Sequence, residues 1–141
     1  PDQAVEQSRL LAQDHPGSAA ASYGLLLAGD ILFEQSKFAE AAAMYQKCVD
    51  SPNHKEVLPL ALANLSLAQE ASSQFKEAAA TGERFLETNS EHFLAPQVHA
   101  AVARSQAGQG QEAQAQATYQ KMVFLYTGTY WEGWAKDRLK S

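Results

Sequence analysis

The sequence contains few residues whose type and spacing suit metal binding. Its 4 histidines are His15, His54, His92 and His99. A zinc site on a helix needs two ligands three or four residues apart, or a close pair of cysteines, and neither spacing occurs. We therefore expect each histidine to be structural or solvated, and we predict no metal site.

The single cysteine is the other candidate for chemistry. Cys48 follows Tyr45 and precedes Val49 on an apolar helical stripe. A small polarizable side chain fills space in such a stripe, so we predict that Cys48 is buried and inert. Because the sequence also lacks a Gly-rich phosphate loop and a nucleophile elbow, we predict a protein that is not an enzyme and needs no cofactor.

The charge balance argues against nucleic acid as a partner. The chain has 11 basic and 16 acidic residues, and the formal net charge is −5. The basic residues are scattered, whereas phosphate binding needs clustered Lys and Arg. The longest apolar stretches, residues 24–28 and 58–63, are far shorter than the ~20 residues that span a bilayer. We expect no direct insertion into a membrane.

A tandem repeat organises the whole chain. Shifting the sequence by 37 residues superposes residues 36–45 (SKFAEAAAMY) on residues 73–82 (SQFKEAAATG), and the segment YQK recurs at 45–47 and 119–121. Small residues recur at equivalent positions, and large apolar residues mostly do so too. The aligned trios are Gly29, Ser66 and Ala103; Ala41, Ala78 and Ala115; and Cys48, Phe85 and Met122.

Each unit contains two segments with apolar residues at helical spacing. We predict an all-α chain with helices at 2–14, 18–35, 37–50, 54–72, 74–88, 91–107, 110–126 and 130–140. Serines in the short links can cap the start of the next helix, and Gly108 can adopt the positive φ of a helix end. Gly82 replaces the tyrosine of the other units, so we expect closer helix packing there or a neighbouring side chain that fills the space.

These repeats resemble the tetratricopeptide repeat (TPR), a helical pair of 34 residues with small residues where its helices cross. The resemblance implies a right-handed α-solenoid. It divides the chain into the second helix of a truncated repeat (1–15), three repeats (16–52, 53–89 and 90–127) and a capping helix (128–141). The period here is three residues longer, and His99 stands where Leu25 and Leu62 stand. Other helical-pair solenoids therefore stay open.

In that family the first helix of each pair lines a concave groove. The helix predicted at 54–72 has leucines on two sides, with Leu62 and Leu65 nearly opposite Leu60 and Leu67. We expect the first pair to hold the fold and the second to face a partner. The groove residues that the resemblance implies are Tyr23, Leu26, Asp30, Phe33, Leu60, Ala63, Asn64, Leu67, Gln97, Ala100 and Arg104.

The resemblance thus predicts a module that binds a protein or peptide segment. Family members that clamp a C-terminal carboxylate use Lys, Arg and Asn side chains, and only Asn64 matches that pattern. We therefore do not expect that ligand. The alternative is a homo-oligomerising scaffold whose groove is filled by its own chain or a neighbouring copy.

Aromatic residues cluster near the C-terminus. We expect a capping helix that begins at Thr129, with Glu132 completing a capping box; a docking surface is the alternative. The aromatic residues are Phe124, Tyr126, Tyr130, Trp131 and Trp134.

The two ends of the sequence bear on its setting. The chain begins with Pro1 and not Met, so we expect a preceding segment. The final residues resemble the ends of bacterial envelope repeat proteins, which indicates a periplasmic or membrane-tethered setting.

Overall fold

The computed structural model describes residues 2–51 and 55–140. Within them the chain forms eight α-helices and no strand, which confirms the all-α prediction. His54 and the predicted boundary between residues 52 and 53 lie outside the described residues. The helices are α1 Asp2–Asp14, α2 Ala19–Glu34, α3 Phe38–Val49, α4 Leu58–Ala71, α5 Phe75–Thr88, α6 Ala95–Gly108, α7 Glu112–Leu125 and α8 Tyr130–Lys136.

Two helices begin later than predicted, for the same reason. α4 begins at Leu58 and not at 54, and α6 begins at Ala95 and not at 91. Pro59 and Pro96 occupy the first turn of these helices. Proline lacks an N–H and restricts the residue before it, so a helix tolerates it only at the start.

α8 ends earlier than predicted because the following residues fold back onto α7. It stops at Lys136 and not at 140. The side chain of Gln116 on α7 donates to the carbonyl of Arg138 (3.1 Å) and accepts from the backbone N–H of Lys140 (2.9 Å). These two bonds replace the helical bonds that a longer α8 would make.

The links inside the helical pairs have one repeated geometry. Ser36, Ser73 and Gly110 all adopt left-handed backbone, with φ of 61°, 64° and 76°. The N–H of the next residue bonds to the carbonyl five residues back, as in a Schellman motif: Lys37 to Leu32, Gln74 to Gln69 and Gln111 to Gln106. These serines end helices and do not cap the next ones, so that prediction was wrong. Gly110, and not Gly108, has the positive φ.

Each helix packs against the helices before and after it, and α4 also packs against α6. Cys48, Phe85 and Met122, which the repeat aligns, all have no exposed surface. The main core runs from α1 to α6, and a second core joins α6, α7 and α8. The burial of Cys48 is therefore confirmed, and burial raises the pKa of its thiol to about 11. Its lack of reactivity stays a prediction.

Small residues lie where helices approach closely. The ring of Tyr45 covers Gly29, and the hydroxyl of Ser66 donates to the carbonyl of Ala78 (2.8 Å). A larger side chain at position 29 would overlap that ring. The small residues of α2 and α4 thus allow α3 and α5 to pack closely against them.

Candidate functional site

A cavity of about 260 Å³ lies between α2 and α4, and we call it the α2/α4 groove. It brings together four residues that the repeat resemblance implies, namely Asp30, Phe33, Asn64 and Leu67. Two further residues, Glu34 and Tyr45, complete its lining. Sequence reasoning missed both. Tyr45 could have been noticed because a buried tyrosine hydroxyl needs a polar partner.

Helical spacing explains why these residues share one cavity. Asp30 and Phe33 are three residues apart on α2, and Asn64 and Leu67 are three apart on α4, so each pair lies on one face of its helix. Phe33 packs against the main core and makes an edge-to-face contact with Phe38, with ring centroids 4.9 Å apart. The aromatic wall of the groove is therefore held by the fold.

Asp30 is the central polar group of the groove, and it is partly buried. Its Oδ1 accepts a hydrogen bond from the hydroxyl of Tyr45 (2.5 Å) and one from the amide of Asn64 (3.3 Å). Burial raises the pKa of Asp30, the Tyr45 hydrogen bond lowers it, and the charge of Glu34 raises it further. Burial and the contact with Asp30 likewise raise the pKa of Tyr45 above its ordinary value.

The described residues that line the groove include no Lys, Arg or His. Among the described residues, the ion pairs join Arg104 to Glu70, Lys136 to Glu132 and Lys140 to Glu112. None of them includes Asp30 or Glu34. The two carboxylates of the α2/α4 groove therefore lack a cationic partner within the part of the chain that the structure describes.

Three of the implied groove residues are buried in the cores instead. Leu26 and Ala63 belong to the main core, and Ala100 belongs to the second one. Small rotations of a helix decide whether such a position faces a neighbouring helix or a cleft. A role of these three residues in binding stays a prediction. Leu60 is half-buried and packs against the main core.

The remaining implied residues lie apart from the α2/α4 groove. Tyr23 is 50% exposed, and its hydroxyl donates to Glu56 (3.1 Å). Gln97 is half-buried, and its Oε1 has no hydrogen-bond partner among the described residues. Arg104 forms a two-pronged ion pair with Glu70, through Nε (2.5 Å) and Nη2 (2.9 Å).

That ion pair joins α4 to α6. In the 37-residue register, Glu70 corresponds to Phe33 and Arg104 corresponds to Leu67. The same two positions thus hold an apolar pair beside an open cavity in one unit and an ion pair in the next. Sequence reasoning missed Glu70, although opposite charges at these neighbouring positions could have indicated the pairing.

Two much larger cavities lie elsewhere, and a third of similar size to the groove, about 270 Å³, lies between α3 and α4. One of about 580 Å³ lies between α1, α2 and α3, and one of about 460 Å³ lies between α5, α6 and α7. Their charged lining residues are all exposed, and they are Arg9, Lys47, Glu83, Glu87 and Lys121. We place the candidate site at the smaller α2/α4 groove because its central carboxylate is partly buried and lacks a countercharge.

His99 lines the cavity between α5, α6 and α7. It is 6% exposed, and its Nδ1 lies 2.5 Å from the hydroxyl of Tyr126. Burial lowers the pKa of His99 to about 4, the charge of Lys121 adds to this effect, and a backbone hydrogen bond with Ala95 opposes it. The structural role that the sequence predicts for His99 stays a prediction, and its burial and its contact with Tyr126 support it.

The other described histidines differ from His99. Nδ1 of His92 accepts a hydrogen bond from the backbone of Leu94 (3.1 Å), and His15 is exposed. Within residues 2–51 and 55–140, no group of three His, Cys, Asp or Glu residues is arranged to hold a metal ion.

The C-terminal aromatic residues divide into two sets. Trp131 and Trp134 pack against the second core, while Phe124 and Tyr130 are 82% and 74% exposed. The hydroxyl of Thr129 accepts from the N–H of Trp131 (3.2 Å), which confirms the predicted helix start. Glu132 accepts from the N–H of Gly128 (2.8 Å), and not from that of Thr129 as a standard capping box requires.

None of the described helices combines the length and the hydropathy needed to cross a membrane. A comparison of the sequence with protein-family models finds no match. A search among curated proteins likewise finds no similar sequence.

Proposed function

We propose that this chain is a right-handed α-solenoid of the tetratricopeptide type and that it binds a peptide or protein segment. The order of helix packing and the three left-handed turns spaced 37 residues apart support the proposed architecture. The binding site is the α2/α4 groove. The module acts by holding its partner and performs no chemistry on it.

One observation carries the proposal. Four residues that the repeat resemblance implies line a single cavity, and they combine two apolar side chains with a carboxylate and an amide. Sites that bind organic groups are mostly apolar with a few oriented polar groups. Phe33 and Leu67 supply the apolar contact, and Asp30 and Asn64 supply the polar contact.

Leu67 is the residue that best separates binding from folding. It is half-buried and lines the groove, whereas Leu60 packs against the main core. An Asp at position 60 would damage the fold as well as the groove. An Asp at position 67 removes an apolar contact worth about 1.5–3 kcal/mol for a fully buried Leu and places a charge where an apolar side chain of the partner would bind.

The test is selection of peptides from a random dodecapeptide display library on the immobilised protein. We expect wild type to enrich a set of related peptides and Leu67→Asp to lose them. Leu125→Asp is the matched control, because Leu125 is 51% exposed on α7 and away from the groove. If Leu67→Asp stays folded and retains the same peptides as wild type, the groove is not the binding site.

Exposed aromatic residues favour a homo-oligomerising scaffold as a second candidate. Phe93 is 74% exposed, and Phe124 and Tyr130 are comparably exposed. Aromatic residues are enriched at the centres of protein interfaces. Sedimentation over a range of concentrations tests this candidate. A monomer at all concentrations would contradict it, and loss of self-association in Phe93→Ser/Phe124→Ser would support it.

A further inference from the structure

The α2/α4 groove contains negative charge that the described chain does not neutralise. Asp30 is partly buried, and among the described residues its Oδ1 receives hydrogen bonds from the neutral groups of Tyr45 and Asn64 alone. Glu34 is exposed but lies in the same lining, and neither carboxylate takes part in an ion pair with another described residue. A carboxylate that has lost part of its hydration gains free energy when an opposite charge approaches.

The adjacent surface shows which group complements a carboxylate there. Between α4 and α6, the guanidinium of Arg104 bonds to both oxygens of Glu70. Two-pronged pairing of this kind is the strongest hydrogen bonding that an arginine makes with a carboxylate. The α2/α4 groove has a carboxylate but, among the described residues, no such arginine. A bound partner can supply the missing cation.

The apolar walls of the α2/α4 groove can contact the aliphatic part of a long basic side chain. Lys and Arg bury their aliphatic stems against apolar surface while the charged end pairs with a carboxylate. Phe33 and Leu67 line the groove together with Asp30 and offer that surface. An anionic group, by contrast, meets the like charges of Asp30 and Glu34.

We propose that the α2/α4 groove selects a peptide segment in which an Arg or Lys lies beside an apolar residue. The basic side chain pairs with Asp30 and Glu34, and its apolar neighbour contacts Phe33 and Leu67. This inference rests on the proposed peptide-binding function and names the chemistry of the partner. A segment that presents a C-terminal carboxylate at this position is excluded by charge.

The experiment uses the same dodecapeptide library and then synthetic peptides. We expect wild type to enrich peptides with Arg or Lys next to Leu, Ile, Phe or Met. For the best peptide, replacing the arginine by neutral citrulline, or the lysine by norleucine, weakens binding to wild type by at least about tenfold, as measured by fluorescence anisotropy. This comparison leaves the protein unchanged, so it does not depend on any variant folding.

The protein side is tested with Asp30→Asn/Glu34→Gln. The amide at position 30 keeps an acceptor for Tyr45 and Asn64, so we expect an unchanged or higher melting temperature. On this variant the charged and neutral peptides bind within about twofold of each other. Glu83→Gln/Glu87→Gln is the matched control, because it removes two exposed carboxylates at the α5/α6/α7 cavity and should preserve the tenfold preference.

The failures of the two proposals are distinguishable. Enriched peptides without a basic residue, or basic peptides that bind Asp30→Asn/Glu34→Gln as tightly as wild type, overturn the inference and leave peptide binding standing. Equal loss of the charge preference in Glu83→Gln/Glu87→Gln would assign it to overall charge and also overturn the inference. If wild type enriches no peptide at all, both proposals are wrong.

Discussion

Gly82 of α5 lies directly against Val102 of α6, and a methyl group at position 82 would overlap Cγ2 of that valine. It would also lie 3.0 Å from the hydroxyl oxygen of Ser66 and 3.2 Å from Cγ1 of Val98. Side chains of α4 and α6 thus fill the space beside Gly82, which is one of the two outcomes predicted from the sequence.

This contact predicts that Gly82→Ala destabilises the protein. Alanine gains about 1 kcal/mol of helix propensity over glycine, but overpacking a core costs about 1–3 kcal/mol. Val102 is buried and short, so it cannot move aside easily. We expect a net loss of about 0–2 kcal/mol in urea unfolding. Exposed Ala80 is the control, because Ala80→Gly should lose about 1 kcal/mol through propensity alone. A more stable Gly82→Ala would contradict the packing.

The left-handed turns predict a stabilising substitution. Ser73 adopts φ of 64°, a conformation that costs an L-residue about 1–2 kcal/mol but costs glycine little. Glycine loses more entropy on folding, which offsets part of this benefit. We therefore expect Ser73→Gly to raise the free energy of unfolding by about 0.5–1 kcal/mol. The reverse change, Gly110→Ser, should lose a similar amount. Thermal or urea unfolding of both variants tests the pair, and a destabilised Ser73→Gly would show that its side chain matters more than the backbone.

His99 predicts a loss of stability in acid. Its pKa is about 4 in the folded protein against about 6.5 when unfolded, so the unfolded state binds the proton more readily. The free energy of unfolding is therefore unaffected by His99 above pH 6.5. It falls progressively as the pH is lowered to 4, by about 3 kcal/mol in total. His99→Leu, which restores the residue of positions 25 and 62, should remove this dependence.

The measurement is urea unfolding of wild type and His99→Leu between pH 7 and pH 4. The difference in unfolding free energy should increase as the pH falls, in favour of the leucine variant. His15→Gln is the control because His15 is exposed. A pH-independent difference between wild type and His99→Leu would mean that His99 is not held neutral by burial.

The leucines of α4 predict two different costs. Leu62 and Leu65 are each 2% exposed in the main core. Changing either one to Ala should lower the free energy of unfolding by about 2–5 kcal/mol. Leu67 is half-buried at the groove and should lose less, about 1 kcal/mol. Chemical denaturation of the three variants checks the ranking. Similar losses at 65 and 67 would mean that the groove wall is part of the core.

The helices and most of the core could be predicted from the sequence alone. Apolar spacing near 3.6 residues and the 37-residue recurrence of small and large side chains are local properties of the chain. They identified Cys48, Phe85 and Met122 as equivalent buried positions, and Leu62 and Leu65 as core. The late starts of α4 and α6 came from Pro59 and Pro96, which a helix tolerates only in its first turn.

Only the tertiary structure decided which polar residues meet. The pairing of Asp30 with Tyr45, the pairing of Glu70 with Arg104, and the burial of Ala63 depend on how neighbouring helices rotate and cross. The period of one helix does not contain that information, because a rotation of a few tens of degrees moves a side chain from a cleft into a contact between helices. The sequence therefore determined the elements and their buried faces, and packing between the helices determined the groove and its unneutralised charge.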